Sequence, residues 1–338
     1  MRRWMAWRVM PSVDAAGEFE TIERLFAPLA HPEWGRGLRD DVAVVPSRPG
    51  YDLVLTKDAL VESIHFLPQD PLGTVAQKLL RVNLSDLACK GAEPFGYMLA
   101  CNWSSRCGWP ERKAFAAGLK QDQERFGVAL LGGDTVATIG PATFSLTLLG
   151  WIQKGRVVGR NGARPGDRIM VTGTIGDGYL GLQAVRGMLS LADERIETLI
   201  THYRTPMPRV EFAEPVRDMA TAAIDVSDGL VADLGHLAET SGVAMELTLD
   251  SVPVSAAGHA WLDGRVDPED AMIRLVTGGD DYEIAFTIRP EDEAALRREA
   301  ERRLLRLTCI GQVSEGAGVT VLYGGEKVTI KRPGWSHD

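Results

Sequence analysis

Aspartates recur at the ends of short apolar segments of this 338-residue chain, and they restrict the folds that it can adopt. Neighbouring carboxylates repel each other unless a cation or a proton lies between them. Each cluster alone is also compatible with a turn or a helix cap, but four in one chain favour a common site. The clusters are Asp40-Asp41, Gly132-Gly133-Asp134-Thr135, Asp225-Val226-Ser227-Asp228-Gly229 and Gly278-Gly279-Asp280-Asp281.

The chain is too long for one ordinary core and suits two domains. The segment from Gln153 to Asp167 contains Gly, Arg, Lys and Pro165 and is the expected join, because the pattern of strands and helices restarts after it. We therefore expect a loose tail at 1–16, an N-terminal domain at 17–152 and a C-terminal domain at 153–338. Helices and strands alternate without a strict βαβ repeat, which predicts an α+β fold with a mixed N-terminal sheet.

Periodicity predicts the individual elements. On the helix predicted at 72–90, Asn83, Asp86 and Lys90 share one polar face. Helices are expected at 18–27, 72–90, 111–126, 179–188, 230–241 and 291–304. Strands are expected at 42–45, 53–56, 96–101, 128–131, 143–151, 168–172, 222–224, 244–249, 282–288 and 307–313.

Composition excludes several classes of function. The formal charge of −9 argues against nonspecific nucleic-acid binding. No apolar stretch is long enough to span a membrane, and Arg2, Arg3 and Arg8 interrupt any signal-peptide core, so we expect a cytoplasmic protein. The four cysteines lack a CxxC spacing and the six histidines lack an HxxxH pair, which makes a zinc site a weak hypothesis.

A literal GxGxxG lies at Gly176–Gly181, directly after the strand predicted at 168–172. A dinucleotide site would need a second strand with an acid about 20 residues further on, and a helix fills that distance instead. We therefore interpret the motif as a glycine-rich turn. The chain also lacks GxxxxGK[ST], so any ATP must bind without a phosphate-binding loop. Clusters of Asp oxygens are ligands that Mg²⁺ prefers, together with water and substrate phosphates.

The ordered motifs resemble those of the thiamine-monophosphate kinases. The resemblance extends from Gly17 to Trp335, and its specificity comes from the order and completeness of the series. Besides the four acidic clusters, the motifs are Gly17-Glu18-Phe19-Glu20, Asp58-Ala59-Leu60-Val61-Glu62, His65-Phe66-Leu67-Pro68, Val82-Asn83-Leu84-Ser85-Asp86-Leu87-Ala88, Gly91-Ala92-Glu93-Pro94, Gly166-Asp167 and Val171-Thr172-Gly173-Thr174.

The resemblance implies the two-domain fold of aminoimidazole ribonucleotide synthetase, a homodimer, and Mg²⁺-dependent conversion of ATP and thiamine phosphate to ADP and thiamine diphosphate. The implied Mg²⁺ ligands are Asp41, Thr56, Asp58, Asp86, Asp134, Asp225 and Asp228. The residues implied to contact ATP are Asp134, Arg160 and Ser227, and those implied to contact thiamine phosphate are His65, Asp280 and Trp335. The acceptor phosphate has a second pKa of roughly 6 and already offers an anionic oxygen, so we expect direct in-line transfer without a general base.

Some implied residues have plainer interpretations. Arg160 is equally compatible with a solvated charge in the linker, and His65 with a structural role. Three positions depart from the family pattern: Lys57 stands where a Ser or Thr is frequent, Arg39 where Gly is frequent, and Asp280 where Glu is frequent. None of the three removes the carboxylate set.

Related enzymes and a nonenzymatic regulator are the alternatives. A selenophosphate synthetase relies on a reactive Cys or selenocysteine near its N-terminus, whereas the first Cys here is Cys89. A hydrogenase-maturation dehydratase would end in Cys, whereas this sequence ends Trp335-Ser336-His337-Asp338. The cyclo-ligase of purine synthesis is a further alternative, which these sequence features do not exclude. A nucleotide-binding regulator would not need the intact carboxylates at Asp86, Asp134 and Asp228.

Overall fold

The computed structural model describes residues 17–335, so the tail predicted at 1–16 lies outside the described residues. The N-terminal half forms a mixed sheet of four strands in the order β1-β4-β2-β3, in which β2 and β3 are parallel and the other pairs are antiparallel. Its elements are α1 (Glu18–Thr21), β1 (Tyr51–Val61), α2 (Leu72–Cys89), β2 (Glu93–Trp103), α3 (Trp109–Phe126), β3 (Ala129–Ala137) and β4 (Thr143–Gln153). The helical path of α1 continues through a π-helical turn, Ile22–Phe26, and a 3-10 turn, Ala27–Leu29.

The C-terminal half forms a sheet of seven strands in the order β11-β10-β7-β9-β5-β8-β6. All its neighbouring strands are antiparallel except β7 and β10. Its elements are β5 (Arg168–Thr172), α4 (Asp177–Val185), α5 (Asp193–Arg204), α6 (Ala213–Met219), β6 (Ala220–Asp225), α7 (Leu230–Ser241), β7 (Ala244–Thr248), α8 (Ala256–Leu262), α9 (Pro268–Thr277), β8 (Ile284–Ile288), α10 (Glu293–Arg302), β9 (Leu307–Ser314), β10 (Gly318–Tyr323) and β11 (Glu326–Val328).

Helix α2 connects the two halves because both of its sides are buried. Leu79 and Leu84 pack into the core of the first sheet. On the other side, Arg81 donates to the carbonyls of Thr205 and Pro206, and Lys90 donates to the carbonyl of Ala223. A helix that is covered all round is nearly apolar or has partners for its polar side chains. Most polar side chains of α2 have such partners, but the buried Oδ1 of Asn83 has none among the described residues.

One face of the N-terminal sheet packs on α2 and α3, whereas the other carries exposed apolar side chains. We call the second the outer face. Leu53, Leu55, Met98 and Val136 lie on it with exposures of 43%, 58%, 39% and 45%. Since side chains alternate along a strand, these residues belong to the face that is opposite the core. A contiguous apolar surface of this kind is typical of an interaction site.

Two of the differences between the predicted and observed strands affect the candidate site. Residues 42–45 do not form a strand, because Pro46 and Pro49 lack backbone donors and the segment crosses the surface as a loop. The strand predicted at 128–131 extends through Ala137, so Asp134 lies within β3 and not beyond it. Gly133 permits this pairing, since a Cβ there would lie 1.8 Å from the carbonyl oxygen of Leu99. None of the helices within 17–335 combines the length and hydrophobicity that a membrane crossing needs.

A candidate active site between the two sheets

Four of the expected metal ligands converge where β1, α2 and β6 meet. The hydroxyl of Thr56 donates a hydrogen bond to the carboxylate of Asp86. Burial and the charge of Asp86 raise the pKa of Asp58 to about 6. Burial raises the pKa of Asp225 well above its ordinary range, and the charge of Asp86 raises it further. We call Thr56, Asp58, Asp86 and Asp225 the acidic cluster.

The loop after β6 is held by a carboxylate from the first turns of α7. Asp233 Oδ2 accepts from the backbone N–H groups of Ser227, Asp228 and Gly229 at 3.1, 3.3 and 3.2 Å. Burial, followed by the charge of Asp228, raises the pKa of Asp233 to about 7. Three convergent N–H groups would otherwise form an anion site, so Asp233 fixes this loop from within the protein.

Asp280 joins this loop to the acidic cluster. Its backbone N–H donates to the carbonyl of Ser227 at 2.9 Å, and its Oδ1 accepts from the hydroxyl of Tyr282 at 3.1 Å. Burial raises the pKa of Tyr282 well above its ordinary value, and the carboxylates of Asp280, Asp58 and Asp225 raise it further. Asp280 therefore lies beside the cluster, with Tyr282 between them.

Trp335 lies against the same loop. Its backbone N–H donates to the carbonyl of Asp228 at 2.9 Å, while its residue exposure is 54%. The guanidinium of Arg332 lies 5.9 Å from the centroid of its ring. A tryptophan whose backbone is anchored and whose side chain is exposed is placed to cover a ligand.

Arg160 and His65 occupy the borders of this region. Arg160 is exposed, and its carbonyl accepts from the hydroxyl of Ser241 at 2.9 Å. Its charge acts on the thiol of Cys89, one turn beyond Asp86 on α2, although burial is the main influence and raises the pKa of that thiol. His65 lies beyond the end of β1, where its Nδ1 accepts from the N–H of Val61 at 3.0 Å.

Asp41 and Asp134 line a different cavity, of about 210 Å³, between the N-terminal helical segment and β3. The sheet register places Asp58 in line with Gly133, with Leu146 and Leu99 between them. Three strand spacings amount to about 14 Å. Asp134 also points to the outer face, because Thr135, the next residue, is buried and accepts from Trp103 Nε1. One protomer therefore does not bring Asp134 to the acidic cluster.

The oxygen donors of the acidic cluster fit a hard divalent cation. Burial of three carboxylates near one another is unfavourable, and the raised pKa values of Asp58 and Asp225 reflect this cost. No group of three or more His, Cys, Asp or Glu side chains between residues 17 and 335 is arranged to hold a metal ion. A cation held at this cluster would therefore need further oxygen ligands, such as water or substrate phosphates.

The glycine-rich turn at Gly176–Gly181 cannot bind a diphosphate in this fold. The N–H groups of Gly176 and Gly178 donate to the carboxylate of Asp281 at 2.9 and 3.0 Å, so the anion-binding donors are occupied. Gly181 serves packing, since a Cβ there would lie 2.3 Å from the carbonyl oxygen of Leu199. These contacts give the turn the structural role that its sequence predicts.

The sequence patterns assigned no role to several residues that shape the site. Asp233 and Asp281 each accept backbone hydrogen bonds, Tyr282 links Asp280 to the cluster, and Lys78 forms an ion pair with Asp280. One signal was available: Lys78 lies eight residues before Asp86, which places both on neighbouring faces of a helix. The pairing of Asp281 with a distant turn had no local signal.

Comparison with known proteins decides the family. The model of the AIR synthase related protein N-terminal domain matches residues 39–152, and that of the C-terminal domain matches residues 164–324. A thiamine-monophosphate kinase of Caulobacter vibrioides is 47% identical over 328 residues, which cover 97% of this chain and 92% of that protein. The chain belongs to the thiamine-monophosphate kinase family.

Solved structures agree with this assignment. The thiamine-monophosphate kinase from Stenotrophomonas maltophilia superposes with a TM-score of 0.78 at 37% identity, covering 86% of this chain and 91% of that one. AaThiL complexed with AMPPCP and TMP superposes with a TM-score of 0.75 at 31% identity, covering 95% and 97%. The predicted resemblance and the predicted two-domain α+β fold are confirmed.

Proposed function

We propose that this thiamine-monophosphate kinase family member transfers the γ-phosphate of ATP to thiamine phosphate, which yields ADP and thiamine diphosphate. The observation that carries the proposal is the convergence of Asp58, Asp86 and Asp225 beside Asp280, in a chain of this family. A relative whose structure contains AMPPCP and TMP supports ATP as co-substrate and thiamine phosphate as acceptor.

Mg²⁺ is the proposed metal, and the acidic cluster would hold it with Asp228. When bound, Mg²⁺ neutralises phosphate charge and aligns the reacting groups. Without a cation, Asp58 and Asp225 hold their protons to a higher pH than an ordinary Asp, which their raised pKa values express. Asp41 and Asp134 would add carboxylates from the cavity beside β3.

The two substrates are assigned to different parts of the site. Arg160, near the C-terminal end of α2, and Ser227, in the loop after β6, would contact ATP. Asp134 would join them from the cavity beside β3. Asp280 and Trp335 would contact thiamine phosphate, since both are fixed to the same loop through backbone hydrogen bonds. His65 is the third proposed acceptor contact.

The proposed transfer is direct and needs no general base. The acceptor phosphate offers an anionic oxygen near neutral pH, so no proton has to be removed. Burial raises the pKa of Cys89 and of Cys101, which makes both thiols poor nucleophiles. Transfer from chiral γ-thiophosphate ATP should invert the configuration at phosphorus, whereas retention would indicate a phosphorylated enzyme intermediate.

A homodimer is the proposed assembly, and two observations support it. The outer face exposes Leu53, Leu55 and Met98, which a second copy would cover. Asp58 and Asp134 lie on strands at opposite edges of the sheet, so a site that contains both carboxylates requires a partner protomer. Leu55→Asp should convert a dimer to a monomer in light scattering, whereas Val266→Asp, at another exposed position, should not.

ADP release against a panel of acceptors tests the proposed reaction. Purified chain would be assayed with ATP, Mg²⁺ and either thiamine phosphate, thiamine or the open-chain precursor of aminoimidazole ribonucleotide. Turnover with thiamine phosphate alone is the expected result. Turnover with another acceptor would assign a different enzyme of the superfamily, and ATP binding without turnover would indicate a regulator.

A further inference from the structure

Lys78 is a buried cation on α2 that contacts the C-terminal half of the chain. Its side chain is 3% exposed, and its Nζ lies 3.0 Å from Asp280 Oδ2. The ring of Tyr203, on α5, lies against the ammonium at 4.0 Å from Nζ to the ring centroid. The charge is thus held between a carboxylate and an aromatic face, where it is shielded from ligands in the site.

The Asp280 carboxylate is held at both oxygens. Oδ1 accepts from the Tyr282 hydroxyl at 3.1 Å, and Oδ2 accepts from Lys78. The backbone is constrained as well, since Asp280 and Tyr282 have φ values of 69° and 52°, in a region that favours glycine. Their N–H groups donate to the carbonyls of Ser227 and Val226 at 2.9 and 2.8 Å. Strain that several contacts maintain is typical of functional sites.

We propose that Lys78 is a positioning residue that fixes the direction of the Asp280 carboxylate toward the cationic ring system of thiamine phosphate. The inference rests on the proposed function, in which Asp280 contacts that acceptor. The Asp280 side chain is 30% exposed, so it can reach a ligand, whereas Lys78 cannot without moving. Lys78 acts through Asp280 and is not itself a contact of the substrate.

The ion pair also balances the negative charge of Asp280 beside the acidic cluster. Asp280, Asp58 and Asp225 all act on the hydroxyl of Tyr282, so their carboxylates are near neighbours. An unpaired Asp280 would compete for a cation bound at the cluster, because carboxylates are the ligands that Mg²⁺ prefers. Lys78 reduces this competition by pairing with Oδ2, and it holds the carboxylate in one orientation for the acceptor.

Lys78→Gln tests the proposal, with Lys120→Gln as matched control because Lys120 is exposed on α3. We expect Lys78→Gln to raise the KM and the calorimetric Kd for thiamine phosphate by about ten-fold, the scale of one charge-assisted hydrogen bond. The KM for ATP should stay within about two-fold. Lys120→Gln should match the unmodified protein, and Lys78→Arg should recover part of the loss. Equal increases in both KM values, or no change in either, would overturn the proposal.

Asp280→Asn supplies the second half of the test. In the Asp280→Asn background, Lys78→Gln should raise the KM for thiamine phosphate by less than about two-fold, since both substitutions disrupt the same Lys78–Asp280 pair. If the effects of the two substitutions on this KM multiply, Lys78 does not act through Asp280. If Asp280→Asn leaves acceptor binding intact while turnover persists, the inference fails and the proposed reaction stands. If the unmodified protein does not bind thiamine phosphate, both fail. Loss of folding in both Lys78→Gln and Lys78→Arg, seen by near-UV circular dichroism, would indicate a structural role and overturn positioning.

Discussion

Thr56 on β1 is joined to Asp86 on α2 by a hydrogen bond from the threonine hydroxyl to the carboxylate. The bond connects the edge strand of the first sheet to the helix that contacts both sheets. Asp86 lies near both Asp58 and Asp225, and its negative charge raises the pKa of each. Its position makes Asp86 the carboxylate on which the cluster depends most.

Asp86→Asn should abolish most turnover and leave the fold intact. The amide keeps the shape of the side chain but removes one anionic ligand, which should lower kcat by roughly 10²-fold or more. Loss of the Asp86 charge removes its repulsion of Asp58 and Asp225, so the melting temperature without Mg²⁺ should not fall. Asp270→Asn, at an exposed position on α9, is the control for kinetics and calorimetry. Near-normal turnover of Asp86→Asn at limiting Mg²⁺ would contradict the metal assignment.

Mg²⁺ affinity should increase with pH, because the cation competes with protons for the acidic cluster. The pKa of Asp58 is raised to about 6, and that of Asp225 is also raised. Mg²⁺ binds the deprotonated carboxylates, so titration calorimetry at about pH 5 should show weaker binding and more proton release than at about pH 8. Affinity that does not vary with pH would place the metal elsewhere.

The same carboxylates determine how stability depends on pH without Mg²⁺. The unfolded chain loses the Asp58 proton near 3.8, whereas the folded chain retains it to about 6. The folded state therefore binds more protons between these values, and this group's contribution to the free energy of unfolding falls as pH rises through them. Saturating Mg²⁺ should reduce that loss, and chemical denaturation with and without Mg²⁺ measures the difference.

Trp335→Ala should raise the KM for thiamine phosphate and leave the KM for ATP nearly unchanged. The thiazolium ring is cationic, and an indole face contributes roughly 0.5 to 2 kcal/mol to such a contact. Trp335→Phe retains an aromatic face and should have a smaller effect. Steady-state kinetics with each substrate varied in turn separates the two constants. Equal increases in both would indicate that Trp335 stabilises the fold through its contact with Asp228.

Asp58→Asn and Asp134→Asn should complement each other when mixed. Each variant alone should be inactive, but a dimer with one copy of each contains one site with both carboxylates intact. Refolding an equal mixture should recover up to about a quarter of the normal activity. The control is a mixture of Asp58→Asn with Asp86→Asn, whose carboxylates lie in the same protomer's cluster. Recovery in the control mixture, or none with Asp134→Asn, would contradict a site shared between protomers.

Local patterns predicted much of the fold. The helix expected at 230–241 is confirmed as α7, because Leu230 follows a glycine and Gly242 ends the helix with a φ of 67°. The Gly324-Gly325 turn between β10 and β11 carried a hairpin signal that the predicted elements did not include. The segment at 42–45 is rich in valine but pairs with no strand. Pairing across a sheet depends on distant residues, so a local pattern does not predict it.

The sequence predicted which residues belong to the site better than it predicted how they are arranged in space. The motif series indicated Asp58, Asp86 and Asp225, and the structure brings these together. It did not indicate that Asp134 lies at the far edge of the sheet, because strand order follows from long-range packing. The contacts of Lys78 likewise depend on how α2 meets the second sheet.

Phosphorus NMR of the reaction products tests the central claim most directly. Purified chain would be incubated with ATP, Mg²⁺ and thiamine phosphate, with Asp86→Asn as the matched control. We predict that thiamine diphosphate and ADP accumulate in equal amounts, and that the control forms neither at a comparable rate. ADP that accumulates with inorganic phosphate while thiamine phosphate stays unchanged would contradict it.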